Sequence, residues 1–388
     1  MPVINRIGDF ADQMKEWRLW MHRNPELGFD LPKTAAFVAE RLREFGVDEI
    51  HEGIAQTGIV AIIRGQEEGP CIGLRADMDA LPIMEETGAD YASETPGKMH
   101  ACGHDGHTTM LLGAAKYLAE TRNFKGSVAL IFQPAEEYGG GGEVMVNEGI
   151  MDRFGVTQVY GIHNGPLYPE GAFYTTRGAL MAAVDEFEVV VRGVGGHAAL
   201  PHECKDPVIA SVSIIQAIQS IVSRNHCAVK DLVISVTQIH TGSANNVIPA
   251  ETTFSGTIRT FDTDVRAMAF RRIREIVEGS QAVFEVSAAL EFDEGYPATI
   301  NDPEKADFAA EVAAEIVGAD KVETDATREM GAEDFSYMLN ARPGAYLFLG
   351  QGDTPYCHHP EYDFNDAIAP IGASFFARLV ERAQPLGG

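Results

Sequence analysis

Residues 127–137 read SVALIFQPAEE, and this stretch decides how the first half of the chain folds. Its apolar run, 128–132, is typical of a strand that is buried on both faces. Two adjacent glutamates, Glu136 and Glu137, follow where that strand ends. Open α/β sheets bind ligands at the carboxyl ends of their strands, so the stretch predicts a buried strand that leads into a functional site.

The same pattern recurs on both sides of this strand. Further buried strands are predicted at GIVAIIR (58–64), CIGLR (71–75) and QVYGI (158–162). Amphipathic helices are predicted over 5–23, 32–45 and 108–120. Alternating helices and strands indicate an α/β domain with a mostly parallel central sheet.

The pattern changes near residue 183. EFEVVVR (186–192) alternates between apolar and polar residues, which is typical of a half-exposed antiparallel strand. The elements that follow have the β-α-β-β-α-β order of a ferredoxin-like α+β sandwich. We therefore predict a discontinuous catalytic domain, 1–182 and 294–388, with a smaller domain inserted at 183–293.

Composition excludes several classes of protein. The 388 residues include 30 Lys and Arg against 57 Asp and Glu, a formal net charge of −27, and 45% are hydrophobic. This apolar content excludes wholesale disorder, and the acidity disfavours nucleic acids and anionic membranes as partners. No run approaches the ~18–20 apolar residues of a membrane span. Five cysteines form a sparse, odd set, which favours a reducing cytoplasm.

Groups of possible metal ligands follow the predicted strands or lie in loops. They are Asp77 and Asp79 after CIGLRA, Glu136 and Glu137, His163 after QVYGI, HACGHDGH (100–107) and CHH (357–359). Each group alone is ordinary, since loop histidines and glutamates are usually solvated and a lone cysteine is usually buried. Imidazole, thiolate and carboxylate together form a ligand set for first-row transition metals, with zinc and manganese both possible.

The pair Glu136-Glu137 suggests how such a site works. Neighbouring residues in an extended chain point to opposite sides, so one carboxylate can bind metal while the other accepts a proton from a metal-activated water. The alternative is a solvated pair ahead of the glycine cluster 139–142. The division of labour predicts a metallohydrolase.

The sequence resembles the metal-dependent amidohydrolase and peptidase family that contains hippurate hydrolase and the auxin-conjugate (IAA-amino acid) hydrolases. This family is related to carboxypeptidase G and aminoacylase. The matching segments are HRNPELGF (22–29), RADMDALPI (75–83), HACGHDGHT (100–108), FQPAEEYGGGG (132–142), GIHN (161–164), GGHAALPH (195–202), NNVIPAE (245–251), GTIRTFD (256–262), GAEDFSYM (331–338) and CHHPEYDFND (357–366). They occur in order along nearly the whole chain.

The resemblance implies a zinc-peptidase-like catalytic domain, an inserted lid and dimerisation domain, and two divalent metal ions per subunit, drawn from Mn, Zn, Ni or Co. The metal ligands that match the family's motifs are Cys102, His104, Glu137, His163 and His358. His359, next to His358, stays open as the alternative last ligand. Glu136 matches the catalytic general base.

Other residues match supporting roles in the family. Asp79 resembles the carboxylate that orients a metal ligand, while Asp77 occupies the place of a metal histidine in distant relatives. His197 resembles a histidine that polarises the scissile carbonyl, from its own subunit or from the partner. The substrate-binding residues implied by the resemblance are Asn246 and Arg259.

The function that follows is hydrolysis of the amide bond of a small N-acyl amino acid such as hippurate. Two alternatives stay open: a di- or tripeptidase on the same metal centre, and a non-catalytic metal-dependent binding protein. The acyl group, amino acid, chirality and native metal are not specified by the sequence. The resemblance also implies a homodimer or higher homo-oligomer that assembles through 183–293.

Overall fold

The structure, a computed structural model, describes residues 3–387. The chain divides into two compact units. Unit 1 holds the described residues up to Leu180, together with Ile300–Thr327 and those from Asp334 on. Unit 2 holds Met181–Thr299 and Arg328–Glu333. The assignment of 183–293 as a lid stays a prediction.

The strands are β1 Glu49–Ile54, β2 Gly58–Arg64, β3 Glu67–Asp77, β4 Lys125–Gln133, β5 Val156–Pro166, β6 Phe173–Tyr174, β7 Gly178–Met181, β8 Ala183–Arg192, β9 Gly196–His197, β10 Leu232–Thr241, β11 Val247–Ile248, β12 Glu251–Thr260, β13 Ser287–Glu294, β14 Thr299–Asn301, β15 Val322–Glu323 and β16 Gly344–Gly352. The helices are α1 Asn5–Gly8, α2 Ala11–Arg23, α3 Pro32–Phe45, α4 His104–Thr121, α5 Gly141–Asn147, α6 Ile150–Arg153, α7 Pro207–Ser220, α8 Thr263–Phe284, α9 Pro303–Val317, α10 Phe335–Ala341 and α11 Ala369–Ala383.

Unit 1 is built on an eight-stranded sheet in the order β1-β2-β4-β3-β5-β16-β6-β15. Its four central strands, β4, β3, β5 and β16, are parallel, whereas β1, β2 and β4 pair antiparallel in succession, as do β16 and β6. The predicted α/β class with a mostly parallel centre is therefore confirmed. Because the central strands are parallel, their carboxyl ends meet at one edge.

Helix α4 explains how the edge is held in place. Leu111, Leu112, Ala115 and Leu118 are fully buried, and most other residues of the helix are buried too. A helix that is apolar on nearly all sides must lie within the core. Its first residue, His104, is thereby fixed at the functional edge of the sheet.

Unit 2 is an antiparallel sheet, β10-β12-β8-β13, with α7 and α8 packed on it. Buried and exposed residues alternate along β8, so one face of the strand joins the core around Phe187, Val189 and Phe254. Both helices begin at an aspartate cap, Asp206 for α7 and Asp262 for α8, whose carboxylates accept backbone N–H bonds. Apart from the two-residue strands β9 and β11, the element order is β8-α7-β10-β12-α8-β13.

One helix corrects the expectation that no segment has the composition of a membrane span. Residues Pro207–Asn225 are long and apolar enough for one, with a mean hydropathy of 1.2. A third of that segment is buried, including Ala210, Ile214 and Ile218 in the core of unit 2. A core helix satisfies the same criteria, so the segment is weak evidence for a membrane.

Candidate metal centre

The candidate metal-site residues lie together at the edge of unit 1 where its parallel strands end. Strand β3 ends at Asp77, and β4 ends just before Glu136 and Glu137. His163 lies near the end of β5, and His104 begins α4. The arrangement follows directly from the strand order, since β3 lies between β4 and β5.

The five predicted ligands form one cluster. Cys102 Sγ lies 3.4 Å from His163 Nε2, and His358 Nε2 lies 3.3 Å from Glu137 Oε1. His104 Nε2 lies 3.9 Å from Glu137 Oε1. Several groups of three ligand atoms lie within 4.8 Å of one another in the described part of the chain, and two of these triads consist only of the predicted ligands: Cys102 with His104 and His163, and Cys102 with Glu137 and His358.

The chemistry of the cluster fits divalent metal ions. Both ring nitrogens of His104, and Oε1 of Glu137, are buried and make no hydrogen bond within the described part of the chain. Leaving such groups unsatisfied costs ~1–3 kcal/mol each, and coordination to a cation removes that cost. Two overlapping triads of sulfur, nitrogen and oxygen donors suit two ions of the zinc or manganese type.

The charges around the cluster favour a cation at the same place. Burial lowers the pKa of His104, but Asp77, Asp79 and Glu137 outweigh it and raise that pKa to about 10. Burial and the neighbouring His107 hold the pKa of His163 well below its usual value, so this ring is neutral. His163 Nδ1 lies 2.7 Å from the Asn164 carbonyl, to which it donates, and this leaves the Nε2 lone pair free for a metal.

Asp79 connects three members of the site. Its two carboxylate oxygens accept the backbone N–H groups of Glu136 and Glu137, at 3.0 and 3.1 Å, and Oδ1 lies 3.4 Å from His104 Nδ1. Ala135, just before the glutamates, has φ +57°, which costs an L-residue roughly 1–2 kcal/mol. Asp79 therefore stabilises a strained turn that presents both carboxylates.

Asp77 is already engaged by protein groups. Its oxygens lie 2.6 Å from Arg75 Nη1 and 2.6 Å from His107 Nδ1. It lies 3.8 Å from His104 Nε2, farther than either of these partners. Asp77 is thus held by two protein partners, although it also lies close enough to His104 and His107 to form a metal-ligand group with them.

The structure distinguishes the two adjacent histidines, either of which the sequence allowed as the last metal ligand. His358 has φ +68°, and its ring reaches Glu137. His359 Nδ1 instead accepts the backbone N–H of Glu361 at 3.1 Å. The unusual backbone conformation at His358 turns its ring toward the cluster, which supports His358 as the last ligand.

The glycine cluster 139–142 makes room for the turn that follows β4. A Cβ on Gly141 would lie 1.7 Å from the Pro134 carbonyl oxygen. Gly142 N–H donates to Asp334 Oδ2 at 2.7 Å. Helix α5 can therefore begin at Gly141, four residues after Glu137 and close to the end of β4.

Several positioning residues escaped the sequence analysis. His107 Nε2 lies 2.7 Å from Asn164 Oδ1, and Asn164 Nδ2 donates to Tyr362 Oη at 2.9 Å. Arg75 Nη2 donates to Asp334 Oδ1 at 2.9 Å. These residues lie inside the motifs quoted above, which was the available signal, but their pairing joins segments that are far apart in the chain.

The three candidate residues of unit 2 lie on its strands and loops. β9 pairs with β11, which places His197 opposite Val247, and Asn246 O accepts the N–H of Ala198 at 3.0 Å. Arg259 lies on β12 and is half buried, and burial lowers its pKa. His197 and Asn246 are therefore neighbours, while the roles of all three toward a substrate stay predictions.

Comparison with known proteins gives consistent results. The sequence matches the model of peptidase family M20/M25/M40 over residues 73–382. Hippurate hydrolase of Campylobacter jejuni is 40% identical over 379 residues, which cover 98% of each chain. Thermostable carboxypeptidase 2 of Saccharolobus solfataricus is 40% identical over 393 residues, again 98% of each.

A solved structure is similar throughout. It is a dinuclear metal-binding peptidase of the M20 family from Bacillus subtilis, 33% identical to this chain, with a TM-score of 0.86. The match covers 97% of this chain and 99% of that one.

Proposed function

This chain belongs to peptidase family M20/M25/M40, and from that premise we propose that it hydrolyses the amide bond of small N-acyl amino acids such as hippurate. As a family member it is a metal-dependent hydrolase of linear amides. The hippurate hydrolase of Campylobacter jejuni, similar over 98% of both chains, supports the choice of substrate class.

One observation carries the proposal. Glu136 Oε2 and Glu137 Oε1 lie 4.0 and 3.9 Å from the same atom, His104 Nε2, although the two residues are adjacent in sequence. Glu137 also reaches His358 and joins a triad with Cys102, whereas Glu136 lies near His104 and Glu137 but belongs to neither of the two triads formed around Cys102. One carboxylate is thus committed to the ligands, and the other stands beside them as a base.

The mechanism assigns a task to each group. Two divalent ions held by Cys102, His104, Glu137, His163 and His358 would supply Lewis acidity, which acidifies water and polarises the scissile carbonyl. Glu136 accepts the proton of the attacking water and then donates it to the leaving amine.

Supporting residues keep this geometry. Asp79 holds the Glu136-Glu137 turn through two backbone N–H groups. We propose that His197 donates to the developing oxyanion and that Asn246 and Arg259 contact the substrate. The Arg259 guanidinium suits a free carboxylate of the substrate, because the two groups match in a bidentate manner.

The test is release of free amino acid from a panel of N-acyl amino acids and dipeptides. The protein is stripped with a chelator and reloaded with Mn, Zn, Co or Ni. Metal-restored cleavage of hippurate supports the proposal. Cleavage of dipeptides alone supports a peptidase, which the similarity to the Saccharolobus carboxypeptidase makes the second candidate. Metal uptake without any cleavage supports a binding protein.

We further propose that the protein is cytoplasmic and forms a homodimer through unit 2. β10 is an edge strand of its sheet and exposes Ile239, and α7 exposes Ile209 and Val212. An open edge and an apolar helix face are surfaces that pair across a two-fold axis. Light scattering coupled to size-exclusion chromatography tests the dimer. A Val212→Glu variant should be monomeric, and a monomeric wild type contradicts the proposal.

A further inference from the structure

We infer that Cys102 and Cys357 form a reversible disulfide when the metal centre is empty and a peroxide is present, with Cys357 as the thiol that resolves the oxidised site. The inference rests on the proposed function, because it assigns Cys102 to the metal. Its role for Cys357 goes beyond that function.

Two loops bring the thiols together. The His358 N–H donates to the Ala101 carbonyl at 2.7 Å, which aligns the loop before Cys102 with the loop after Cys357. Cys357 Sγ lies 3.9 Å from the Cys102 carbonyl oxygen, and the two thiols are hydrogen-bonding neighbours. A disulfide needs Cβ atoms about 3.5–4.5 Å apart, so neighbouring thiols require little movement of the chain.

The two cysteines differ in solvent exposure and in whether they belong to the ligand triads. Cys102 is 8% exposed and is a member of both ligand triads. Cys357 is more exposed and belongs to neither triad. A metal bound to Cys102 would hold its thiolate, whereas Cys357 is not a proposed ligand. Both sulfurs can therefore react with an oxidant once the metal has left.

The chemistry balances with hydrogen peroxide as the oxidant. Peroxide transfers one oxygen atom to the Cys102 sulfur, which gives a sulfenic acid and one water. The Cys357 sulfur attacks that sulfenic sulfur, the S–S bond forms, and the hydroxyl leaves with the thiol proton as a second water. The disulfide keeps Cys102 from the sulfinic and sulfonic states, which are not reversed by thiols.

The experiment treats chelator-stripped full-length protein with hydrogen peroxide and maps its peptides without reduction by mass spectrometry. We expect a cross-linked peptide that contains Cys102 and Cys357, the loss of two free thiols per chain, and the loss of metal uptake. Dithiothreitol should restore both thiols and metal uptake. Metal-loaded protein should show no cross-link.

Matched serine variants complete the test. Cys357→Ser should lack the cross-link, accumulate sulfinic or sulfonic Cys102 and fail to regain metal uptake after reduction. Cys227→Ser, which removes an exposed thiol, should behave as wild type. The inference is overturned if no Cys102–Cys357 peptide forms, or if Cys357→Ser recovers as fully as wild type. Failure of untreated protein to bind metal would contradict the proposed function instead, since the cross-link is detected independently.

Discussion

His22 Nδ1 lies 2.8 Å from Asp105 Oδ2, and neither side chain is more than 1% exposed. The other ring nitrogen of His22 lies 3.3 Å from Glu85. Helix α2 therefore contacts the first turn of α4 through a buried charged pair, one residue after His104. His22, the first residue of the HRNPELGF segment, therefore joins α2 to α4, a role that its sequence alone does not show.

The His22–Asp105 pair predicts a pH-dependent stability. Burial lowers the pKa of His22, but the hydrogen bonds to Asp105 and Glu85 outweigh it and raise the pKa to about 9. A raised pKa stabilises the fold below the unfolded-state value of ~6.5. This contribution, about 3 kcal/mol, is lost as pH rises from ~6.5 through ~9.

Urea unfolding of wild type and His22→Gln checks this prediction. Trp17 and Trp20 are the two tryptophans of the chain, and both lie in unit 1, so their fluorescence reports on that unit. The wild type should be markedly more stable at pH 6.5, and the difference should shrink by pH 9.5. A difference that is constant with pH would contradict a charged His22.

Substitution of the base predicts separate effects on metal and on turnover. Glu136→Gln should retain both metal ions, because all five proposed ligands, Cys102, His104, Glu137, His163 and His358, are still present in it. It should lose roughly 10²-fold or more in kcat, the scale of general acid–base catalysis. Elemental analysis and steady-state kinetics measure the two effects, and near-normal turnover would refute the assignment.

Substitution of Asp79 predicts a weakened centre. An asparagine has one oxygen, so Asp79→Asn can accept the N–H of Glu136 or of Glu137 but not both. Loss of such an orienting group typically costs 10–100-fold in metal affinity. Chelator competition gives the dissociation constant. Asp12→Asn, on the exposed side of α2, is the control and should leave it unchanged.

Substitutions of the two adjacent histidines near the C-terminus should affect metal affinity differently. His358→Ala removes the ring that reaches Glu137, and metal affinity should fall by more than about tenfold. His359→Ala removes only an acceptor for the Glu361 N–H, so metal binding should be close to wild type. The reverse ranking in the same competition assay would assign the ligand to His359.

The sequence was informative where a side chain's position follows from its own strand. Glu136, Glu137 and His163 were predicted at strand ends because apolar runs specify buried strands, and parallel strands end together. The helix predicted over 32–45 is α3, and it ends at Gly46 with φ +72°, a conformation that suits glycine. These signals are local, so one stretch of sequence suffices to find them.

Pairings between distant segments could not be predicted in this way. His107 meets Asp77 across 30 residues, and Arg75 meets Asp334 across 259. Their partners depend on the strand order and on side-chain packing, which periodicity does not specify. For the same reason β2 was assigned as a strand correctly, but its antiparallel direction relative to β4 emerged only in the structure.

Substitution of Arg75 tests how much a pairing between distant segments contributes to the free energy of unfolding. Arg75 is 1% exposed and donates to Asp77, Gln133 and Asp334, which connects β3, β4 and the segment before α10. Arg75→Met leaves the carboxylates of Asp77 and Asp334 buried without its guanidinium. Removing one partner of a buried pair costs about 3–5 kcal/mol, because the remaining charge has lost its compensation.

An exposed pair provides the matched control. Arg6 Nε donates to Glu120 at 2.8 Å, but the Arg6 side chain is 51% exposed, so water and salt screen the interaction. Arg6→Met should leave the urea midpoint of unit 1 unchanged, whereas Arg75→Met should lower it strongly. Equal effects of the two substitutions would mean that burial does not decide the contribution of this network. A stable Arg75→Met protein with weakened metal affinity would assign Arg75 to the metal centre rather than to folding.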